Sequence, residues 1–128
     1  MAISFSTYDW PVIPFSNIEN LRSWITQVIE FKGFNTGDIE FIFSSDIYIH
    51  QVNREFLGHD YSTDIITFDY SFRHKLSGDI LIAIPVVQNN SERFGVSFFK
   101  EVLRVMIHGV LHLMGFPDYS KKKKRVMR

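Results

Sequence analysis

Three side chains near the C-terminal end of this 128-residue chain have the types and spacing of a metal centre. His108 and His112 stand four residues apart in a stretch that reads as helix, so both imidazoles fall on one face, a turn apart. Gly115 offers a helix C-cap and Pro117 prevents continuation, so the chain must turn there, and the turn can swing Asp118 back towards the histidines. Two imidazoles and a carboxylate leave one coordination position open. A catalytic zinc site is built in this way, whereas a structural site is usually closed by four ligands. The same ligand types describe the facial triad of mononuclear iron oxygenases, but those sites usually sit on sheets, and here both histidines share a helix. Gly109 occupies the position at which the zinc-protease helix carries its glutamate base, which disfavours ordinary metalloprotease chemistry. The chain has no cysteine, so any metal must rest on histidine and carboxylate.

A helix has to present these groups. With about 100° per residue, Ser97, Lys100, Glu101, Arg104, His108 and His112 fall in one stripe. On its own that stripe is equally a solvent face. Apart from the two histidines, however, residues 105–114 read Val, Met, Ile, Gly, Val, Leu, Leu and Met. Core should surround that half of the helix, and the histidines should then line a cleft.

The preceding elements follow from periodicity and punctuation. Ile3–Tyr8 alternates as a half-buried strand, and Pro11 and Pro14 mark a loop. Ser16 or Asn17 can cap a helix to about Phe31, with Ile18, Leu21, Ile25, Val28 and Ile29 inward and Gly33 after its end. Thr36-Gly37-Asp38 reads as a turn before a strand over residues 39–43. Ser44, Ser45 or Asp46 can cap a helix to about Leu57, with Ile47, Ile49, Val52 and Phe56 as its apolar set. Residues 58–64 read as a loop, residues 65–70 as a third strand and residues 71–78 as a hairpin connection. Residues 79–84 are so continuously apolar that a central strand covered on both faces is expected. Pro85 suits the first turn of a short helix to about Phe94, with Gly95 as its stop, and Ser97 caps the histidine helix. A final Lys-rich helix completes the order β-α-β-α-β-β-α-α-α. The expected fold is α+β: a small mixed four-stranded sheet with helices packed on it, and the metal site at the end of the long helix.

At this length one domain spanning residues 1–128 is expected, with a core that needs no disulfides. The N-terminus has neither a basic nor an apolar leader region, and no apolar run approaches membrane-spanning length. The expectation is a cytoplasmic protein with no membrane or DNA partner, monomeric by default. A net charge of zero hides an asymmetry. Lys121–Arg125 and Arg128 hold six of the fourteen basic residues, so residues 1–120 carry eight basic against fourteen acidic groups. Such a tail can bind a polyanion, although it also suits a solvated helix face near a C-terminus.

These residues resemble the YbeY-type metal-dependent endoribonucleases, the rRNA maturation factors of bacteria. Residues 108–116 follow the family motif His-Gly-x-Leu-His-Leu-x-Gly-(Tyr/Phe) position by position. Val52-Asn53-Arg54-Glu55-Phe56, the run from Asp60 to Phe68, and Ser77-Gly78-Asp79-Ile80 are similar to further family blocks, in the same order. Two positions depart. Counting six residues from His112, where the family usually has its third histidine ligand, reaches Asp118. An arginine usually held to matter for activity aligns with Leu57, with His59 and Arg54 nearby.

The resemblance implies a zinc-dependent single-strand endoribonuclease with one Zn2+ per chain, held by His108, His112 and Asp118. It would act in maturation of 16S rRNA at its 3′ end and in ribosome quality control, with rRNA and the small ribosomal subunit as partners. Asn53, His59, Thr63, Lys121 and Lys122 are the candidate substrate contacts. Asp64 and Asp79 are candidate bases, or groups behind the ligands, although loops and strand entries use aspartate routinely. The alternative is a non-catalytic ribosome-assembly factor with a structural metal, motivated by Leu57 and by the absence of an obvious base.

Overall fold

In the computed structural model, which describes residues 2–116, the apolar run before Pro85 lies at the interior of a sheet. Four strands, β1 (Ile3–Tyr8), β2 (Asn35–Ser44), β3 (Ile65–Asp69) and β4 (Lys75–Ala83), are ordered β1-β2-β4-β3. β1 pairs parallel to β2, β2 parallel to β4, and β3 antiparallel to β4. The sheet is therefore mixed, as expected, and β3 is an edge strand.

Four helices cover it: α1 (Ile18–Phe31), α2 (Asp46–Leu57), α3 (Ile84–Phe94) and α4 (Phe98–Leu113). Side-chain alternation along β4 separates two apolar layers. Ile80 and Ile82 join the layer formed with Leu21, Ile25 and Ile29 of α1 and with Val102, Val105, Met106, Val110 and Leu113 of α4. Leu81 and Ala83 face the other way, onto Ile49 and Val52 of α2 and Ile66 of β3. α2 and α4 thus lie on opposite faces of the sheet.

The helix ends follow local chemistry. Ser45 and Ser97 each accept a hydrogen bond from the backbone N–H three residues on, at Tyr48 and Lys100 (3.0 and 3.1 Å). Gly115, at φ +95°, takes the left-handed conformation that closes α4, with the Gly115 and Phe116 N–H groups donating to the His112 and Leu111 carbonyls.

Several details differ from the sequence reading. β2 begins at Asn35, through the stretch read as a turn, because its first residues pair with Lys75 and Leu76 across a register irregularity between Thr36 and Ile39. β4 begins at Lys75 because the β3–β4 connection closes more tightly, with Phe72 and Lys75 bridged and Arg73 at φ +58°. On α2, Ile47 and Phe56 stand exposed, and Asn53 takes a buried position between the helix and the loop that follows. Glu101 is buried on α4 (2% exposed), stabilised by two hydrogen bonds from the Arg104 guanidinium (3.0 and 2.7 Å). The final Lys-rich helix, Pro117, Asp118 and the basic tail lie outside the described residues.

Candidate functional site

α4 crosses the sheet close enough that at one position any side chain would force its neighbours to shift. A Cβ on Gly109 would sit 2.9 Å from Ile80 Cγ2 and 3.0 Å from Ile65 Cδ1. This glycine lets the helix backbone settle on β3 and β4. The position after His108 points into the sheet, so a glutamate base has no room there. Turned away from that contact, His108 and His112 line one cavity of about 290 Å³.

The other side of the cavity comes from α2 and the loop after it: Asn53, Leu57, His59, Tyr61 and Thr63. Ile65, Ile66 and Thr67 of β3 form the floor between. A cavity that touches helices on opposite faces of a sheet has to pass around the sheet's edge, and β3 is that edge. Its backbone alternation is set by bonds from the Ala83 N–H to the Asp64 carbonyl (3.0 Å) and from the Tyr70 N–H to the Ser77 carbonyl (2.8 Å). By antiparallel pairing, the N–H and C=O groups of Ile65, Thr67 and Asp69 then point outward.

The loop over residues 58–64 is tied to α2 at several points. Gly58 ends the helix in a left-handed conformation, and the Asn53 carbonyl accepts the N–H of both Gly58 and His59. Asn53 Nδ2 also donates to the Tyr61 carbonyl (2.9 Å). His50 Nε2 and the Asp60 carboxylate are 2.8 Å apart. His59 and Tyr61 stack with ring centroids 5.3 Å apart and planes inclined by 12°, and the Tyr61 hydroxyl lies 3.1 Å from His59 Nδ1.

Burial pushes the Asp64 carboxyl above its ordinary range, and Glu101 adds to the rise. Arg104, the backbone N–H of Asp64 itself and His108 oppose it. Asp64 is therefore within electrostatic reach of both His108 and Arg104. Asp79 lies elsewhere, on β4 beside Glu40 of β2. Burial raises its carboxyl most, then the negative charge of Glu40, while a hydrogen bond from Tyr70 opposes them.

Of the residues picked from sequence, His108, His112, Asn53, His59 and Thr63 meet at this cavity. Asp118, Lys121 and Lys122 lie outside the described residues. No group of three or more His, Cys, Asp or Glu side chains positioned to hold a metal occurs among the described residues. Two imidazoles one helical turn apart, aimed into the same cavity, suit part of a zinc ligand set. Sequence reasoning misses Tyr61, because an aromatic in a polar loop carries no periodicity that would reveal its place. Leu57 stands out in the sequence only as the position aligned with the family's arginine, and the structure adds that it lines the cavity.

An α+β protein with a two-histidine helix at the open edge of a mixed sheet is the class that this geometry defines. A family model described as "Endoribonuclease YbeY" matches residues 11–128, and the chain belongs to that family. It is 42% identical over 127 residues to the endoribonuclease YbeY of Parabacteroides distasonis, covering 99% of this chain and 89% of that protein. To the endoribonuclease YbeY of Bacteroides thetaiotaomicron it is 40% identical over 127 residues, covering 99% and 92%. The solution structure of TM1509 from Thermotoga maritima superposes with a TM-score of 0.64 at 28% identity, covering 95% of this chain and 85% of that one.

Proposed function

We propose that this chain is a zinc-dependent single-strand endoribonuclease that matures ribosomal RNA, with His108, His112 and Asp118 as ligands of one ion. The observation that carries the reading is the convergence of His108 and His112 with Asn53, His59 and Thr63 around one cavity, in a chain of the Endoribonuclease YbeY family. When bound, zinc supplies Lewis acidity towards a phosphoryl oxygen and lowers the pKa of a water to about 7.

The chain's own groups bind and orient. His108 and His112 act as neutral nitrogen donors on a helix fixed by its packing on β3 and β4. Asp64 lies within electrostatic reach of His108. Thr63 lies on the loop wall with a hydroxyl that can donate to a phosphate oxygen. Asn53 holds the Tyr61 carbonyl and so fixes the wall opposite the histidines. The Lys121–Arg125 segment with Arg128 contributes phosphate contacts outside the acidic body, to rRNA within the small ribosomal subunit. The working compartment is the cytoplasm. No helix among the described residues is long and apolar enough to cross a membrane.

Metal analysis tests the ligand set. Wild type should hold one zinc per chain, and His108→Ala, His112→Ala and Asp118→Ala should each lower retention on dialysis at least ten-fold. Full retention by Asp118→Ala would remove that residue from the set. One observation favours a second reading, a ribosome-assembly factor with a structural metal: the cavity wall carries apolar Leu57 where the YbeY-type pattern has arginine. That reading requires binding to the small subunit with no RNA cleavage by fully metallated protein.

A further inference from the structure

The two sides of the cavity differ in chemistry. The helix side carries imidazoles, and Asp64 lies within electrostatic reach of both His108 and Arg104. The loop side contributes Leu57, the stacked rings of His59 and Tyr61, and no lysine or arginine among its lining residues. Apart from the Thr63 hydroxyl, a wall of this kind has little with which to hold a phosphate. It does have a flat π surface and an aliphatic neighbour, the surface on which an unpaired nucleobase stacks.

Placement supports the same reading. Tyr61 is 46% exposed although aromatic, and it stands at a cavity wall and not in the core. The loop is nevertheless held before any ligand arrives. The Asn53 backbone carbonyl accepts the His59 N–H (3.1 Å) and the Asn53 side-chain amide donates to the Tyr61 carbonyl (2.9 Å), so both ring-bearing residues are fixed to one buried residue. The contact between the Tyr61 hydroxyl and His59 Nδ1 fixes the rings to each other. A preorganised platform loses little entropy on binding. At the floor, the outward N–H groups of Ile65 and Thr67 and the outward Thr67 carbonyl add donors and an acceptor, while the Ile65 carbonyl accepts from the Thr63 hydroxyl (3.5 Å). About 290 Å³ is room on the scale of one nucleotide unit and far less than a duplex requires.

We infer that Tyr61, stacked on His59 beside Leu57, forms a nucleobase subsite that receives one unpaired base of the RNA while the adjoining phosphate lies towards His108 and His112. The inference rests on the endoribonuclease reading for its substrate class. In this arrangement the loop wall contacts the base and the helix wall contacts the phosphate, so Leu57 becomes a contact suited to a base where the family pattern has a cation.

Nucleoside 5′-monophosphates test the subsite without cleavage, because they contain no internucleotide bond. Binding of AMP, GMP, CMP, UMP and base-free ribose 5-phosphate to zinc-loaded protein would be followed by NMR shift titration. The comparison is wild type against Tyr61→Ala and Tyr61→Phe. The inference predicts that Tyr61→Ala weakens the mononucleotides by roughly ten-fold or more, purines most, while Tyr61→Phe stays within about three-fold. Ribose 5-phosphate should bind all three proteins alike. Mononucleotide affinity unchanged in Tyr61→Ala, or an equal loss for ribose 5-phosphate, would overturn it. Tyr61-dependent mononucleotide binding by a protein that leaves RNA intact would remove the endonuclease reading and keep the subsite. RNA cleavage with mononucleotide binding indifferent to Tyr61 would do the reverse.

Discussion

His108 and His112 stand on a helix whose opposite side is pressed into the sheet through Val105, Gly109, Val110 and Leu113, whereas His59, Tyr61 and Thr63 ride on a loop held by polar bonds to α2. The helix wall belongs to the larger apolar layer, so moving it means disturbing the core. The loop wall depends on one buried asparagine and on an exposed contact between His50 and Asp60. Chemistry that needs fixed ligands therefore sits on the stiff wall. Recognition that must admit and release a strand sits on the wall that opens at lower cost.

Damage to the helix wall should be global. Arg104→Met leaves the Glu101 carboxylate buried without its guanidinium and should destabilise the protein by about 3 kcal/mol in urea denaturation. Adding Glu101→Gln should recover much of that loss, and additive losses would mean that the pair does not hold the helix. Gly109→Val drives methyl groups into Ile80 and Ile65 and should cost about 2 kcal/mol, with reduced zinc retention because His108 moves with its helix.

Loop-wall damage should stay local. Asn53→Ala strips the Tyr61 carbonyl of its donor and should cost about 1 to 2 kcal/mol. Hydrogen exchange should accelerate over residues 58–64 while protection on α4 is retained. Uniform acceleration across both walls would abolish the distinction between them.

The smallest effect lies away from either wall, at Asp79 and Glu40. Asp79's folded pKa stands above its ordinary 3.8, so the folded state binds that proton more tightly than the unfolded chain does. Its contribution to stability is then present below pH 3.8 and declines as pH rises from there through the raised folded value. Glu40→Gln removes a repulsive neighbour, lowers the folded pKa of Asp79 and should flatten that decline. The change should be about 0.5 kcal/mol or less, because partly exposed charges are screened. Melting curves at acid and neutral pH measure it, and a steeper decline in the variant would contradict the sign.

How far each wall can be read in the sequence follows from the same physics. Helix α4 and strand β4 announce themselves because burial imposes a period on α4 and a continuous apolar run on β4. The histidine spacing is legible because it rides on that period. Glu101 reads as part of the polar stripe because a charged residue gives no sign that an arginine three positions on will neutralise it when it is buried. Lys75 and Leu76 read as connection because strand entry there depends on pairing with distant β2. On the loop wall no period operates. Asn53 and Thr63 are legible only through the family resemblance, and Tyr61 owes its place to a hydrogen bond from Asn53 and to its contact with His59, neither of which any spacing encodes. Asp118 rests on the forced turn after Gly115 and on its spacing from His112, since it lies outside the described residues.

The most direct measurement is the cleavage rate of a single-stranded precursor of small-subunit ribosomal RNA against zinc content, for wild type and for His112→Ala. The account predicts a rate that rises in proportion to bound zinc, disappears with chelator, returns on zinc addition, and falls at least a thousand-fold in His112→Ala. Cleavage that is indifferent to zinc content, or that survives in His112→Ala, would contradict the assignment of the two-histidine cavity as the reacting centre.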